Sequence, residues 1–281
     1  MMHSAILSNG KLITAKEYEA ERHGIVLSCM DPTCNVPVHF VKGDVLNTPH
    51  FKTSGKANSI HRESCGFAKK LTFKDTVFKV NEYQETLRAQ GIREFVVKLN
   101  MDKLDPDYIP KEVNRSGSEK EATPPPEIDQ KLLKEKPETP SSLSSLKSIK
   151  KLYQSVSPDL LASIVISIKG NQIPISKLIC HYDMAHYLFW KGNTYEVPYF
   201  VYGVVENVIR REKVWFINLT SETYFFTLVI FEKYFKHFTY RDEDLVNKEI
   251  LAMGFLRKNE YTKDKPSTEM IIKSDKYIEF L

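Results

Sequence analysis

The sequence Cys29-Met-Asp-Pro-Thr-Cys34, followed by Pro49-His50-Phe51 and by His61-Arg-Glu-Ser-Cys65, decides how the first part of this chain folds. Three of the four cysteines of the chain fall in this window, interleaved with histidines. Thiolates and imidazoles in two such groups are the usual ligands of tetrahedral zinc. An apolar core of this size is marginal alone, so we expect that zinc binding and folding of the segment are coupled.

The window offers more candidate ligands than a tetrahedral site needs: Cys29, Cys34, His50, His61 and Cys65. Asp31-Pro32-Thr33 form a turn that directs the first two thiolates to one point. His61 and Cys65 are one helical turn apart and can face the same ion. His50 competes with His61 for the fourth position, and the sequence leaves that choice open. Four protein ligands leave no position for water, so we predict a structural zinc; the alternative is a three-ligand catalytic site with Glu63 as base.

The same residues carry a resemblance to a known family. The cysteine pair, Gly43 and the triplet Pro49-His50-Phe51 resemble the zinc-binding N-terminal module of the competence-protein CoiA-like family. That family has Cys-Pro-x-Cys, a glycine turn and then His-Phe-x-His. Here the cysteine pair is wider, and Thr53 replaces the second histidine, whose role His61 can take. The resemblance covers about residues 5–75 and implies a zinc-binding module.

CoiA-like chains also resemble proteins that carry a restriction-nuclease-type domain after the zinc module. Such a nuclease needs an acidic residue and a Glu-x-Lys pair that together hold magnesium and a water. Glu94 and Lys98 are the candidates here, with Asp75 as the acid. On a strand, however, their spacing separates the two side chains by about 13 Å. We therefore expect no catalysis and keep a degenerate nuclease as an alternative.

Length and composition describe an ordinary globular chain with room for two modest domains. Its 281 residues are 42% hydrophobic and 27% charged, with a formal net charge of +4. The longest apolar run, 160–168, is far too short to span a bilayer. We expect a soluble, cytoplasmic protein with reduced cysteines and no membrane partner. The small net charge does not by itself indicate a nucleic-acid-binding face.

We divide the chain into four parts, which together predict an α+β multidomain fold. Residues 1–104 are the small zinc-stabilised, CoiA-like module with a helix and strand extension. The proline-rich residues 105–140 are a flexible linker. Residues 141–194 are a helical segment, with a helical hairpin over 141–168. Residues 195–281 are an OB-fold-like domain, a five-stranded β-barrel.

Short patterns predict local elements in the first part. Asn9-Gly10 marks a hairpin turn, and a capping pattern predicts a helix over 15–21. Apolar residues at helical spacing predict a helix that ends at Gly91, and 94–99 alternates like a strand.

The last part has the pattern of five strands with a helix between the third and the fourth. The predicted strands are 198–209, 214–218, 224–231, 248–257 and, as one interrupted strand, 270–280. This is the order of an OB-fold, and it resembles the OB-fold domains of DNA-processing proteins. Gly203 and Gly254 lie where a bent barrel strand needs a kink.

An OB-fold binds single strands by stacking bases on aromatic rings in a basic groove. We predict that basic and aromatic side chains of the last part make these contacts: Arg210, Arg211, Lys213, Trp215, Phe225, Arg257 and Lys258. The sequence therefore favours a non-catalytic, zinc-containing prokaryotic protein that binds single-stranded nucleic acid. The rival interpretation is a protein–protein adaptor of a mobile-element or phage-related system.

Overall fold

The computed structural model describes residues 1–44, 48–92, 94–109, 142–168, 170–219, 223–259 and 265–281, which form a mixed α/β protein. The strands are β1 (Ser4–Leu7), β2 (Leu12–Thr14), β3 (Leu27–Cys29), β4 (Pro37–Val41), β5 (His50–Lys52), β6 (Phe95–Leu99), β7 (Ser142–Leu143), β8 (Ile164–Ile168), β9 (Asn171–Pro174), β10 (Ile179–His181), β11 (Tyr199–Arg210), β12 (Val214–Leu219), β13 (Phe225–Phe231), β14 (Glu249–Gly254), β15 (Leu256–Lys258), β16 (Ser267–Ile271) and β17 (Ile278–Phe280). The helices are α1 (Ala20–His23), α2 (Phe73–Ala89), α3 (Leu146–Ser155), α4 (Pro158–Ala162), α5 (Ile175–Leu178), α6 (Tyr182–Trp190) and α7 (Asp242–Leu245). Among these helices, none combines the length and the apolar character that a membrane crossing requires.

The N-terminal sheet has the strand order β2-β1-β3-β4-β5 and is antiparallel throughout. Its first hairpin turns at Asn9-Gly10, as predicted, with Gly10 at a φ of 80° that glycine adopts without steric cost. A small apolar core on this sheet encloses three of the cysteines. Its members are Met2, Ala5, Leu7, Ala15, Tyr18, Leu27, Cys29, Cys34, Val38, Phe51 and Cys65.

A buried carboxylate fastens this sheet to the rest of the protein. Asp159 of α4 is 1% exposed, and its Oδ2 accepts hydrogen bonds from the backbone N–H groups of His3 (2.5 Å) and Ser4 (2.9 Å). The larger apolar core also reaches the N-terminal sheet through Leu12 and Met30. The metal-ligand segment therefore packs on the body of the protein.

A second sheet joins distant parts of the chain in the order β7-β6-β8-β9. Strand β6 pairs in parallel with both β7 and β8, and β8 pairs antiparallel with β9. Helix α2 packs against α3, α4 and α5. The sheet thus crosses the predicted boundary between residues 1–104 and residues 141–194.

The C-terminal sheet has the order β15-β16-β13-β12-β11-β14-β17, with β10 also paired to β11. Strand β14 pairs with β11, whereas β15 pairs with β16 at the opposite side of the sheet. Only Phe255 separates β14 from β15 in the chain. Strands β14 and β15 follow each other almost directly in the chain but pair with strands at opposite sides of the sheet. The sheet must therefore curl to bring these two sides together.

Gly203 lets helix α6 approach the long strand β11. A Cβ atom at this position would lie 2.4 Å from Cδ1 of Tyr182, closer than two carbon atoms can approach. Two residues further on, β11 shifts its register against β12 between Val205 and Asn207, which is the irregularity expected of a strongly bent strand. Gly254 ends β14 at the break before β15.

Three predicted elements were wrong in extent. Residues 15–21 do not form a helix, since α1 begins only at Ala20. The helical stretch predicted for 141–168 ends at Ala162, because the β-branched residues of 164–168 form β8 beside β6. The predicted fifth strand is two strands, since β16 pairs with β13 and β17 pairs with β14.

From residue 110 onwards the predicted linker over 105–140 lies outside the described residues. Its first residues lie against the C-terminal sheet. The Nζ atom of Lys273 lies 2.5 Å from Asp105 Oδ2 and 3.3 Å from Asp107 Oδ2. These ion pairs attach residues 105 and 107, which follow the second sheet in the chain, to Lys273.

Candidate metal centre and candidate nucleic-acid interface

Two turns position four of the five predicted metal ligands. The first turn follows β3, which ends at Cys29, and its backbone closes where the N–H of Cys34 donates to the carbonyl of Asp31 at 3.0 Å. The second turn precedes α2, and the N–H of Cys65 donates to the carbonyl of Arg62 at 2.9 Å. The first turn contributes Cys29 and Cys34, and the second contributes His61 and Cys65, to the space between the two turns.

Cys29, Cys34, His61 and Cys65 are close enough to hold one metal ion. One ligand atom from each lies within 4.8 Å of the others. The Sγ atoms of Cys29 and Cys65 are 3.7 Å apart, and Nδ1 of His61 lies 3.5 Å from Cys34 Sγ and 3.4 Å from Cys65 Sγ. In the described part of the chain, this is the one group of three or more such side chains with that spacing.

His50, the competing candidate, lies elsewhere. It begins β5, is buried, and its Nδ1 lies 3.0 Å from the backbone carbonyl of Thr48. It is not among the side chains that share the metal-binding space. Of the two histidines that the sequence left open, the structure brings His61 to the cysteines.

The surroundings shift the pKa values of the candidate ligands in different directions. Burial lowers the pKa of His61, which keeps the imidazole neutral and able to coordinate. The hydrogen bond with Cys65 and burial raise the pKa of the Cys29 thiol, while the same hydrogen bond lowers the pKa of Cys65. The backbone N–H of Phe67 also donates to Cys65 Sγ at 3.4 Å, and this bond further lowers the pKa of Cys65.

The carboxylate of Asp31, which sequence reasoning missed, joins the two ligand turns. It is fully buried. Its Oδ1 accepts hydrogen bonds from the backbone N–H (2.9 Å) and the hydroxyl (2.6 Å) of Thr33 inside the first turn. Its Oδ2 accepts the backbone N–H of Gly66 at 2.9 Å. One side chain therefore fixes both the local turn and the turn that carries Cys65.

Helix α2 completes the environment of Asp31. The Nζ atom of Lys79 and the hydroxyl of Tyr83 donate to Asp31 Oδ2 at 3.0 Å and 2.5 Å. Burial alone would raise the pKa of Asp31, but the hydrogen bonds from Thr33, Tyr83, Gly66 and Lys79 outweigh burial and hold that pKa well below its ordinary value. Asp31 is therefore ionised and paired inside the protein.

The position of Tyr83, whose hydroxyl donates to Asp31, requires a glycine at residue 66. A Cβ atom on Gly66 would lie 2.3 Å from the hydroxyl oxygen of Tyr83. The phenol ring of Tyr83 in turn stacks on Phe67, with ring centroids 5.5 Å apart. The helix therefore packs directly on the residues that follow Cys65.

Four of the predicted nucleic-acid contacts lie at the β11–β12 turn: Arg210, Arg211, Lys213 and Trp215. The Trp215 ring stacks on Phe235 at 3.9 Å between centroids, and the Arg210 guanidinium lies 4.1 Å from the Trp215 centroid. Arg210 also pairs with Asp242 at 2.7 Å. Stacking of a base on Trp215 would therefore require Arg210 or Phe235 to move.

The other three predicted contacts, Phe225, Arg257 and Lys258, lie where β13 and β16 begin and β15 ends. Phe225 is 42% exposed. Trp190, at the end of α6 and absent from the predicted set, is 40% exposed, and Lys258 Nζ lies 4.9 Å from its ring centroid. The helical spacing of α6 gave no signal that distinguishes this tryptophan from a core residue.

The candidate nuclease residues have other partners. Glu94 pairs with Arg88 at 3.5 Å, and Asp75 accepts a hydrogen bond from the hydroxyl of Thr72 at the start of α2. Lys98 lies exposed on β6. Glu94 and Asp75 therefore have separate side-chain partners and do not share a contact.

No protein-family model matches this sequence, and no curated protein matches it significantly. Among solved structures, an aspartyl tRNA synthetase from Entamoeba histolytica is similar over 30% of this chain, with 14% sequence identity and a TM-score of 0.22. The similar region spans 18% of the synthetase chain. A score this low carries no argument about fold or function.

Replacing Asp31 by Asn should strongly destabilise the protein. The change leaves Lys79 without its buried counter-charge and removes an acceptor from Tyr83, at a cost of roughly 3–5 kcal/mol. The measurement is urea denaturation at constant metal concentration. Glu82→Gln is the matched control, because Glu82 pairs with the same lysine at 2.9 Å but is more exposed, and it should cost about 1 kcal/mol or less. Equal losses in the two variants would contradict the assigned role of Asp31.

The two histidines should differ in their effect on bound metal. His61→Ala should release the metal or weaken it severely, because a ligand is lost, whereas His50→Ala should retain it. Elemental analysis of the purified proteins by inductively coupled plasma mass spectrometry measures both. Metal loss in His50→Ala together with full retention in His61→Ala would show that the ligand set is wrong.

Proposed function

We propose that this protein is a non-catalytic, zinc-containing protein that binds single-stranded nucleic acid through its curled C-terminal sheet. The metal holds the N-terminal turns in place, and the sheet carries the contacts. The observation that carries the proposal is two half-exposed aromatic rings at one end of that sheet, Trp190 and Phe225, each with its own lysine ammonium close to it. We call this group the aromatic–lysine surface; it consists of Trp190, Phe225, Lys258 and Lys265.

Zinc is the metal that fits the ligands best. Three thiolates and one imidazole form one of the common structural zinc sets, and bonds of about 2.3 Å to sulfur and about 2.0 Å to nitrogen require ligand atoms about 3.5–3.8 Å apart in a tetrahedron. The separations of 3.7, 3.5 and 3.4 Å agree with that requirement. Because the four ligands fill the coordination sphere, the zinc would have a structural role.

The strand pairings support an OB-fold. In that fold the first strand pairs with the second and the fourth, and the third strand runs parallel to the fifth. Here β11 pairs with β12 and β14, and β13 pairs in parallel with β16. Strands β14 and β15 together take the place of the fourth strand, with β15 paired to β16. We propose that these five segments form the predicted barrel.

The aromatic–lysine surface is suited to bind both the bases and the phosphates of a nucleic-acid strand. Lys265 Nζ lies 5.4 Å from the centroid of Phe225, and Lys258 Nζ lies 4.9 Å from the centroid of Trp190. The Trp190 indole N–H donates to Thr268 Oγ1 at 2.9 Å, which fixes the ring on β16. Phe225 pairs with Ser267, which precedes Thr268 in β16, so the two rings lie on opposite faces of this end of the sheet. Bases can stack on such fixed rings while the ammonium groups meet the backbone phosphates.

A protein–protein adaptor is the second candidate function, supported by two other exposed aromatic residues. Tyr187 of α6 is 56% exposed, and Phe255, between β14 and β15, is 50% exposed. Large exposed rings of this kind also suit a protein partner. We also propose that the N-terminal module is CoiA-like and that a protein partner, if this is the function, belongs to a mobile-element or phage-related system.

Fluorescence anisotropy with labelled single-stranded and double-stranded DNA and RNA, across a salt series, tests the proposed function. The protein should prefer single strands, and Trp190→Ala should weaken binding by roughly tenfold or more, since a stacked base contributes about 1–3 kcal/mol. Lys258→Gln should also reduce the slope of log K against log salt by about 0.7, because one phosphate contact is lost.

The exposed residue Lys147 of α3 supplies the control. Lys147→Gln removes the same charge from a helix outside the proposed surface and should leave both affinity and salt slope unchanged. A loss in Lys213→Gln, with none in Lys258→Gln, would place the contacts at the β11–β12 turn instead. Absence of binding to every oligonucleotide would exclude the nucleic-acid function and favour the adaptor.

A further inference from the structure

The outer face of the C-terminal sheet, which is turned away from the apolar core, carries polar side chains that the proposed function does not use. Successive residues of a strand point to opposite faces. Ile217 of β12 and Leu228 of β13 belong to the core. Phe216 and Asn218 flank Ile217 in the chain, so both lie on the outer face. Thr227 precedes Leu228 and lies there too.

Polar side chains form a row across this face, and we call it the polar row. Asn207 of β11 is paired with Asn218, and Asn218 is paired with Thr227. The Asn218 amide donates to Asn207 Oδ1 at 2.8 Å, and the Thr227 hydroxyl donates to Asn218 Oδ1 at 2.9 Å. Beyond Thr227 the row continues with Glu269 of β16 and Arg257 of β15, which form an ion pair at 2.9 Å. These bonds hold the Asn207 side chain in one orientation.

The Asn207 end of the polar row offers hydrogen-bond donors to a ligand. Asn207 is exposed to solvent, and its Oδ1 already accepts from Asn218. In the described part of the chain, the NH2 group of Asn207 donates to no protein acceptor. An amide NH2 group carries two donor hydrogens. A ligand on this face would therefore meet donors at a fixed position.

Aromatic rings flank the polar row on the same face. Phe225 lies two residues before Thr227 on β13 and is 42% exposed. Phe216 lies two residues before Asn218 on β12, and the Arg211 guanidinium carbon lies 5.6 Å from its ring centroid. Because β12 and β13 are antiparallel, the rings lie on opposite sides of the row, each about 7 Å from it along the strand. A diagonal cross-strand neighbour is also within reach, so a base stacked on Phe216 would extend its edge to the row.

We propose that Asn207 reads the bases of a bound single strand and selects those that carry a carbonyl oxygen where the others carry an amino group: thymine, uracil and guanine. This inference rests on the proposed function and adds its specificity. The NH2 group of Asn207 donates to O4 of thymine or to O6 of guanine. Cytosine and adenine present an amino group at the corresponding position, so that two donors would face each other. Asn207 is therefore a specificity-determining residue, and Asn218 and Thr227 position it.

Fluorescence anisotropy of the full-length protein with labelled oligo(dU) and oligo(dC) of equal length, at one salt concentration, tests this inference. Both oligonucleotides have the same backbone and pyrimidine bases, and they differ in a carbonyl oxygen against an amino group at position 4. The protein should bind oligo(dU) roughly tenfold more tightly. Equal affinity for the two would overturn the inference and leave the proposed function intact. Absence of binding to both would overturn the proposed function and this inference together.

Asn207→Asp separates base reading from general binding. A carboxylate accepts from the cytosine amino group, so the ratio of the oligo(dU) affinity to the oligo(dC) affinity should fall by roughly tenfold or more. The added negative charge repels the phosphates of both strands alike, so the ratio is the readout. Asn171→Asp makes the same change at an exposed residue of β9, outside this face, and should leave the ratio unchanged. An unchanged ratio in Asn207→Asp would show that Asn207 does not read the bases.

Discussion

The buried carboxylate of Asp31 connects the sequence around the cysteines to the rest of the molecule. It lies between the first two metal ligands, yet its hydrogen bonds extend to Gly66 after the last ligand and to Lys79 and Tyr83 on α2. An ionised carboxylate inside a protein is costly unless it is paired and fully hydrogen-bonded. Here Lys79 is its buried counter-charge, although the negative charge of Asp31 still raises the pKa of Cys65. The positions of the four candidate ligands are coupled to these contacts, because Asp31 is hydrogen-bonded to both of the turns that carry them.

The same arrangement explains how the metal-ligand segment is joined to a larger protein. Metal binding alone would order two turns, but α2 extends from the Asp31 contacts into the main apolar core. That core also contains β6 and β8, which pair although 64 residues or more separate them in sequence. Loss of a metal ion bound there would therefore also destabilise the structure beyond the N-terminal sheet, because α2 packs against the turns that carry the candidate ligands.

Local sequence signals predicted local features of this structure well. The Asn9-Gly10 turn, the helix before Gly91 and the strands of the C-terminal sheet follow from turn chemistry and from apolar periodicity. The choice of His61 over His50 could not be predicted, since it depends on how the second turn folds against Asp31. The strand at 164–168 was mistaken for helix because a short apolar run has no decisive periodicity. Its β-branched residues, and the parallel pairing to β6, determine the outcome.

The surroundings of the candidate nucleic-acid-binding residues could not be predicted from the sequence either. The sequence pattern identified aromatic residues on β12 and β13, but only the fold shows that Phe235 and Arg210 cover Trp215 and that Trp190 approaches β16. Contacts of this kind join residues from separate elements, and no spacing in the sequence encodes them.

We propose that a zinc ion is held by three cysteines and one histidine around the Asp31 contacts. The zinc K-edge X-ray absorption spectrum of the purified protein tests it most directly. We expect a first shell of three sulfur atoms at about 2.3 Å and one nitrogen atom at about 2.0 Å. A shell with two sulfur atoms, with an oxygen ligand, or with no zinc bound at all would contradict the account.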